Sequence, residues 1–221
     1  MNSLGDRLAA ALEAGLEDTG PDVAVMLSGG VDSLSLVFAL RSLGRNVKAY
    51  SFRLAGVESS DFRAAVNAAK LFNMEIVEIV LPTDVETLTS DVRMMVTTLG
   101  ISSKAAVECT WPFLYAIPMI AEPDMVVGSA SDGHFGISKQ AMLHYRGSAE
   151  SLDEYRDKTF GKADYAQVMT LGVLAAIHGL SCWAPYRSAR VRDLFRGRSW
   201  DELNKPRQKQ PILDAYSGEF E

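Results

Sequence analysis

Val23-Ala24-Val25-Met26-Leu27-Ser28-Gly29-Gly30-Val31-Asp32-Ser33 is the stretch on which the reading of this chain turns. Residues 23–27 are a short, continuous apolar run, the pattern of a strand buried on both faces of a parallel sheet. Ser28-Gly29-Gly30 follows at once, and a helical pattern then runs over 32–43 and closes at Gly44. Adjacent glycines let a backbone approach an anion closely and adopt left-handed conformations. Open amides at the start of the next helix point at that anion, and the helix dipole adds to the attraction. Ser28 and Ser33 supply hydroxyl donors, while Asp32 sets a carboxylate among groups suited to phosphate. A Mg²⁺ between Asp32 and phosphate oxygens resolves that conflict of charge. The loop has neither the Walker spacing Gly-x-x-x-x-Gly-Lys-Ser/Thr nor the dinucleotide spacing Gly-x-Gly-x-x-Gly.

On either side the periodicity alternates between helix and strand. Leu4, Leu8, Leu12 and Leu16 recur every fourth residue and predict an amphipathic helix ending at Gly20-Pro21. Strands are expected over 47–52, 74–81 and 124–128, and helices over 61–72, 85–99 and 105–121, the last bent near Pro112 or Pro118. The loop 129–138 follows the fourth strand, and further helices are expected near 151–160, 165–178 and 191–196. Strand–helix alternation of this kind predicts an α/β fold, a doubly wound parallel sheet with right-handed crossovers, carrying a helical C-terminal part over about 150–221. The whole of 1–221 reads as one domain.

Composition narrows the function classes. The chain has 221 residues, net charge −6, 48% hydrophobic residues and two cysteines. Those fractions are typical of soluble globular chains and exclude disordered and fibrous classes. No apolar run reaches membrane-spanning length, and the N-terminus lacks the basic-then-apolar pattern of a signal peptide, so a cytoplasmic protein is expected. Cys109 and Cys182 are too few for a disulfide framework or a four-cysteine zinc site, and buried structural thiols are expected. Between Arg187 and Lys209 the charge is +5, leaving −11 elsewhere. That segment reads either as a solvated helix and loop or as a phosphate-facing lobe. His144 and His178 read as surface and core residues respectively. His134 reads either as a proton shuttle or phosphate donor, or as a loop histidine without such a task.

Ser28-Gly29-Gly30-Val31-Asp32-Ser33 resembles the PP-loop signature of the ATP pyrophosphatases, which cleave ATP between its α and β phosphates. The nearest likeness is to the synthetase domain of asparagine synthetase and to β-lactam synthetase. Gly128-Ser129-Ala130-Ser131-Asp132-Gly133-His134-Phe135-Gly136 resembles that family's Gly-Glu-Gly-Ser-Asp-Glu-x-Phe-Gly loop, and Lys209 before Ile212-Leu213 resembles its Lys-x-x-Leu-Arg segment. The resemblance implies an adenine nucleotide alpha hydrolase-like fold and an ATP- and Mg²⁺-dependent ligase. Such an enzyme adenylates a carboxylate or carbonyl oxygen, releases pyrophosphate, and passes the acyl group to ammonia or an amine. It further implies that Ser28, Gly29, Gly30, Val31, Asp32, Ser33 and Ser131 hold pyrophosphate, that Asp32 and Asp132 hold Mg²⁺, and that Phe52 lies at the adenine. Lys209 or Lys205 would neutralise the departing pyrophosphate.

The departures are equally specific. The chain begins Met1-Asn2 where asparagine synthetase begins with a glutaminase nucleophile, so ammonia is expected from solution or from a separate glutaminase. Ser129 and Gly133 stand where the family has glutamates. Glu108 could replace the first of these as a base, or be a surface residue. Trp183-Ala184-Pro185-Tyr186-Arg187-Ser188 shares only Pro-aromatic with the family's acceptor-side Arg-Val-Pro-Phe-Leu-Asp, so the acceptor pocket is expected to differ. The rival readings are a PP-loop enzyme that thiolates or amidates a nucleobase in RNA or nucleotide, and an ATP-binding module that has lost its chemistry. Nucleic acid is not the expected partner of so acidic a chain.

Overall fold

The apolar run of the first strand fits both faces of a sheet at once. The computed structural model describes residues 3–57, 59–160 and 166–220. In β1 (Asp22–Met26) and just past it, Val23, Val25 and Leu27 join one buried cluster, while Ala24 and Met26 join another. That two-residue alternation places a helical layer against each side of the strand.

The first layer is built from α1 (Leu4–Ala14), α2 (Val31–Ser42) and α3 (Ser60–Leu71). Ser3 and Asp6 form a capping box that starts α1, and Leu8 and Leu12 are fully buried beneath it. β2 (Asn46–Leu54) pairs with β1 in parallel, with Val23 opposite Val47, and β3 (Ile76–Leu81) pairs with β2. The chain then crosses to the other face through α4 (Val85–Thr97) and α5 (Lys104–Ala116). Pro112 lies inside α5, whose helix stops at Ala116; the expected continuation to 121 is instead a 3₁₀ turn, Ile117–Met119, beginning next to Pro118.

β4 (Asp124–Val126) returns to the opposite edge of β1 and pairs with β5 (Ser181–Trp183), so the strand order is β3-β2-β1-β4-β5, all parallel. The chain reverses direction across the sheet between β1 and β4. In doubly wound sheets the crevice beyond the carboxyl ends of two such strands receives ligands.

After β4 come α6 (Ser131–His134), α7 (Lys139–His144), α8 (Ala149–Phe160), α9 (Ala166–Ile177) and β5 (Ser181–Trp183). The segment expected as loop 129–138 thus contains a short helix, and β5 is a strand of three residues, too short to leave a periodic signal. Residue 165, the expected start of the ninth helix, lies outside the described residues. The chain ends in α10 (Ala189–Phe195), α11 (Trp200–Asn204), α12 (Gln210–Ala215) and α13 (Ser217–Phe220). Gly5 lets α12 press against α1: a Cβ there would lie 2.7 Å from the Ala215 amide nitrogen. Tyr216 and Phe220 meet the Phe38 ring of α2 with centroids 5.3 Å away in each case. These contacts return the C-terminal segment to the layer that carries the glycine loop.

His178, expected in the core, is exposed near the end of α9, where the helix presents its outer side. Cys109, expected buried, is exposed on α5. Cys182 is largely covered, and burial pushes its thiol up to about 11. Among the described residues no helix is long and apolar enough to cross a membrane.

Candidate active site

The glycine loop is held by its own serines. Ser33 Oγ donates to the Gly30 carbonyl (3.0 Å) and accepts from the Ser28 amide (3.2 Å), while the Gly30 amide donates to Ser28 Oγ (3.3 Å). Gly30 is the N-cap of α2 and offers no side chain to its first turn. The first-turn amides are thereby left for an anion, at the positive end of the helix dipole. Gly29 sits at φ +76°, the left-handed conformation expected of the glycine pair.

Asp32 enters the crevice from the first turn of α2, Asp132 from α6, and Lys209 from the N-cap of α12. Lys209 Nζ donates to Asp32 Oδ2 and, at 2.6 Å, to Asp132 Oδ1. The lysine side chain is 10% exposed, that of Asp32 22% and that of Asp132 62%. Burial raises the pKa of Asp32 above the usual carboxylate value; Lys209 opposes that shift, and the charge of Asp132 adds to it. The second oxygen of Asp32, Oδ1, is buried without a hydrogen-bond partner. Ser131 Oγ lies buried beside Asp32 and Tyr186 without a well-formed hydrogen bond.

Of the residues beneath this triad, Asn204 and Arg156 carry no sequence signal. Asn204 is buried, accepts from the Lys209 amide (3.1 Å) and donates to the Phe135 carbonyl (2.9 Å), tying the lysine to the loop that bears Asp132. Arg156, 1% exposed, donates through Nε and Nη2 to the His134 carbonyl and through Nη1 to Asp153 and the Phe195 carbonyl. Tyr186 and Ser35 share a 2.6 Å hydrogen bond, and Ser35 also donates to the Asp32 carbonyl. The Pro-aromatic stretch at 185–186 is thus a floor under Asp32.

Gly133 stands where the resembling loop has glutamate, and the structure leaves no room there: a Cβ would lie 2.3 Å from Cζ of Phe160. Ala130 stands at φ +81°, where the resembling loop has glycine. Ala130→Gly is therefore expected to stabilise the protein by about 1 kcal/mol, the left-handed cost of an L side chain less glycine's greater unfolded freedom. A rise of about 2–4 °C in thermal midpoint would register it.

A cavity of ≈ 190 Å³ opens beside the loop, lined on β2 and the facing layer by Tyr50, Phe52, Phe113 and Val127, with Ser28 and Asp61 at its margin. Phe52, the residue expected at the adenine, lines this cavity, and Phe113 and Asp61 join it there only through the fold.

The other expected site residues lie elsewhere. Glu108 is exposed on α5 and pairs with Lys104 (3.5 Å), and Lys205 is exposed and pairs with Asp201 (2.5 Å), so neither joins the triad. Both pairs are i,i+4 partners on helix surfaces, where solvent competes for the charges. Of the +5 segment, Arg196 pairs with Asp157 (2.9 Å) and Arg198 with Glu202 (3.1 Å), while Lys209 faces the crevice.

His134 is not a shuttle. It is fully buried with its ring 4.4 Å from Phe160 and 5.9 Å from Phe195, and neither nitrogen makes a hydrogen bond of normal geometry. Burial, then the charge of Arg156, lowers its pKa to about 3, against a small opposing pull from the Tyr186 main chain. A folded pKa below the unfolded value near 6.5 means that protonation favours unfolding. Stability present above about pH 6.5 is expected to fall as the pH drops toward 3. His134→Phe should flatten that decline, read as urea midpoints at pH 7.5 and 5.

Residues 3–110 match the family model of asparagine synthase. Over that stretch the chain is similar to a PP-loop family of the ATP pyrophosphatase superfamily. No curated protein sequence matches it. Among solved structures it is similar to a predicted subunit of a tRNA methyltransferase from Methanocaldococcus jannaschii, with 17% identity over 79% of this chain and 73% of the other, and a TM-score of 0.41. It is also similar to the U34-tRNA thiolase NcsA from Methanococcus maripaludis, solved with its [4Fe-4S] cluster, at 14% identity over 98% and 77% of the two chains and a TM-score of 0.45. The PP-loop resemblance read from residues 28–33 is therefore matched by the family comparison, and the doubly wound sheet places that loop at its switch point.

Oxygen donors on Asp32 and Asp132 suit Mg²⁺, which takes one or two carboxylates and completes its shell with water and substrate phosphate. The partnerless Oδ1 of Asp32 and the convergence of both carboxylates on one cation fit that ion. Among the described residues no group of three or more His, Cys, Asp and Glu is placed to hold a metal.

Proposed function

We propose that this protein is an AMP-forming carbon–nitrogen ligase that adenylates a small-molecule acceptor and transfers the activated group to ammonia or an amine. The observation that carries the reading is the meeting of Asp32, Asp132 and Lys209 at the mouth of the glycine loop, beside an aromatic-lined cavity. The first-turn amides of α2 and the hydroxyls of Ser28 and Ser33 bind the β and γ phosphates. Tyr50, Phe52 and Phe113 enclose the adenine, which orients the α phosphate toward the acceptor. Asp32 and Asp132 would hold Mg²⁺, which when bound supplies charge neutralisation for pyrophosphate.

An acceptor oxygen bonds to the α phosphorus as the bond from that phosphorus to the bridging oxygen breaks, and pyrophosphate carries away the electron pair. Lys209 follows the growing negative charge from within the crevice, where low exposure strengthens its effect. The amine nitrogen then bonds to the activated carbon, AMP leaves with its oxygen, and the nitrogen gives up a proton. A separate glutaminase is a fitting source of ammonia. Amide formation is favoured over sulfur transfer because the chain has two cysteines, one with its thiol raised to about 11.

Exchange of labelled pyrophosphate into ATP, with Mg²⁺ and single additions of amino acids, small carboxylates, nucleosides and tRNA, tests the reading. Exchange that depends on one carboxylate or amide precursor is expected. Exchange that depends on a nucleoside or tRNA would overturn the small-molecule assignment in favour of nucleobase modification. No exchange with any addition, while ATP binds by calorimetry, would overturn catalysis itself.

A further inference from the structure

The lysine that faces the crevice is already engaged. Lys209 Nζ bridges Asp32 Oδ2 and Asp132 Oδ1, so those two oxygens share one cation. Its backbone is fixed there from three sides: the amide is held by Asn204, the residue caps α12 at φ +59°, and α12 is pressed on α1 at Gly5. A Mg²⁺ ion takes oxygens at about 2.0–2.1 Å. An ion held between the two carboxylates, whether on the partnerless Oδ1 of Asp32 or on Oδ2, would therefore sit close beside the ammonium, and two cations so close repel strongly.

We infer that Lys209 is an internal counter-ion that closes the metal position of the nucleotide-free protein and yields it only when a phosphate offers the ammonium a new partner. Displacement by metal alone would leave the lysine, with 10% of its side chain exposed, away from both carboxylates. An ammonium separated from its partners in a covered site is strongly unfavourable. Metal and ATP together remove that obstacle, because the phosphates bring the negative charge with which Lys209 re-pairs. The device thus couples metal binding to nucleotide binding and keeps the carboxylates from collecting divalent ions between turnovers. It rests on the reading that Asp32 and Asp132 are the metal ligands.

Mn²⁺ titration without nucleotide, followed by electron paramagnetic resonance, tests the exchange in wild type, Lys209→Gln and Lys209→Arg. Removal of the ammonium is expected to tighten binding of one Mn²⁺ at least about tenfold, a gain abolished by adding Asp32→Asn, while Lys209→Arg stays as weak as wild type. Equal or weaker Mn²⁺ binding in Lys209→Gln would overturn the counter-ion role. Wild-type binding of Mn²⁺ with a non-hydrolysable ATP analogue reports separately on the ligands: if Asp32→Asn leaves it unchanged, the metal assignment falls and the exchange with it. Should Lys209→Gln fail to fold, the ¹⁵Nζ resonance of Lys209 in the wild-type chain decides. It should move with Mg²⁺ plus the analogue and stay in place with Mg²⁺ alone; a signal unmoved by both together overturns the inference.

Discussion

Asp32→Asn is expected to lower pyrophosphate exchange by about a thousandfold or more, with the fold retained. The substitution keeps the shape of the side chain in the first turn of α2 but removes the charge that faces Lys209. A neutral amide is a poor ligand for Mg²⁺, and a single preorganised electrostatic partner lost from an active site costs about 10²–10³ in rate, with the loss of metal adding to it. Burial holds the Asp32 carboxyl above its usual pKa, so its ionised form is disfavoured in the fold and an amide relieves that part of the strain. The thermal midpoint should therefore change far less than activity, and circular dichroism melts beside exchange rates would show it. Asp132→Asn is expected to have the smaller effect, about 10–100-fold, because Asp132 is 62% exposed and water can take part of its role. Equal losses in the two variants would contradict the asymmetry of the site.

Gly29→Ala is expected to destabilise the protein by about 2–5 kcal/mol, and Gly30→Ala to leave its stability within about 1 kcal/mol. At Gly29 the backbone has φ +76°, and an added Cβ would lie 2.4 Å from the Ala64 carbonyl carbon and 2.6 Å from the Ala65 amide nitrogen. Both are main-chain atoms of α3, so the helix itself must retreat. The left-handed conformation costs about 1–2 kcal/mol and overpacking about 1–3. A Cβ at Gly30, by contrast, meets only Ser28 Oγ at 3.4 Å. Because α3 carries Asp61 at the margin of the cavity, its displacement should also weaken ATP binding. Chemical denaturation of the two variants separates the positions; matching losses at both would contradict the close approach of the loop to α3.

The local part of this protein was legible from its residues. The apolar run 23–27 and the glycine pair after it specify strand, loop and helix by periodicity and by the lack of side chains, and each signal spans only a few neighbours. The same logic located three further strands and most of the longer helices. Gly128 to Gly136 kept enough of a resembling loop to point to Asp132, while the lack of room for a side chain at Gly133 follows only from the Phe160 ring that the fold sets beside it.

What tertiary structure alone decided lies at long range. Glu108 and Lys205 had the right chemistry but point into solvent, because helix orientation decides whether a charge reaches a crevice. His134 stands next to Asp132 in sequence, yet the turn of α6 sends its ring among phenyl groups while its neighbour faces the site. Asn204 and Arg156 were silent, since a buried polar side chain is recognised by the carbonyls it meets. Lys209 lies 177 positions from Asp32. It reaches the carboxylate because α12 packs on α1 and α2 beside the loop, an arrangement set by apolar burial across the whole layer rather than by any spacing along the chain.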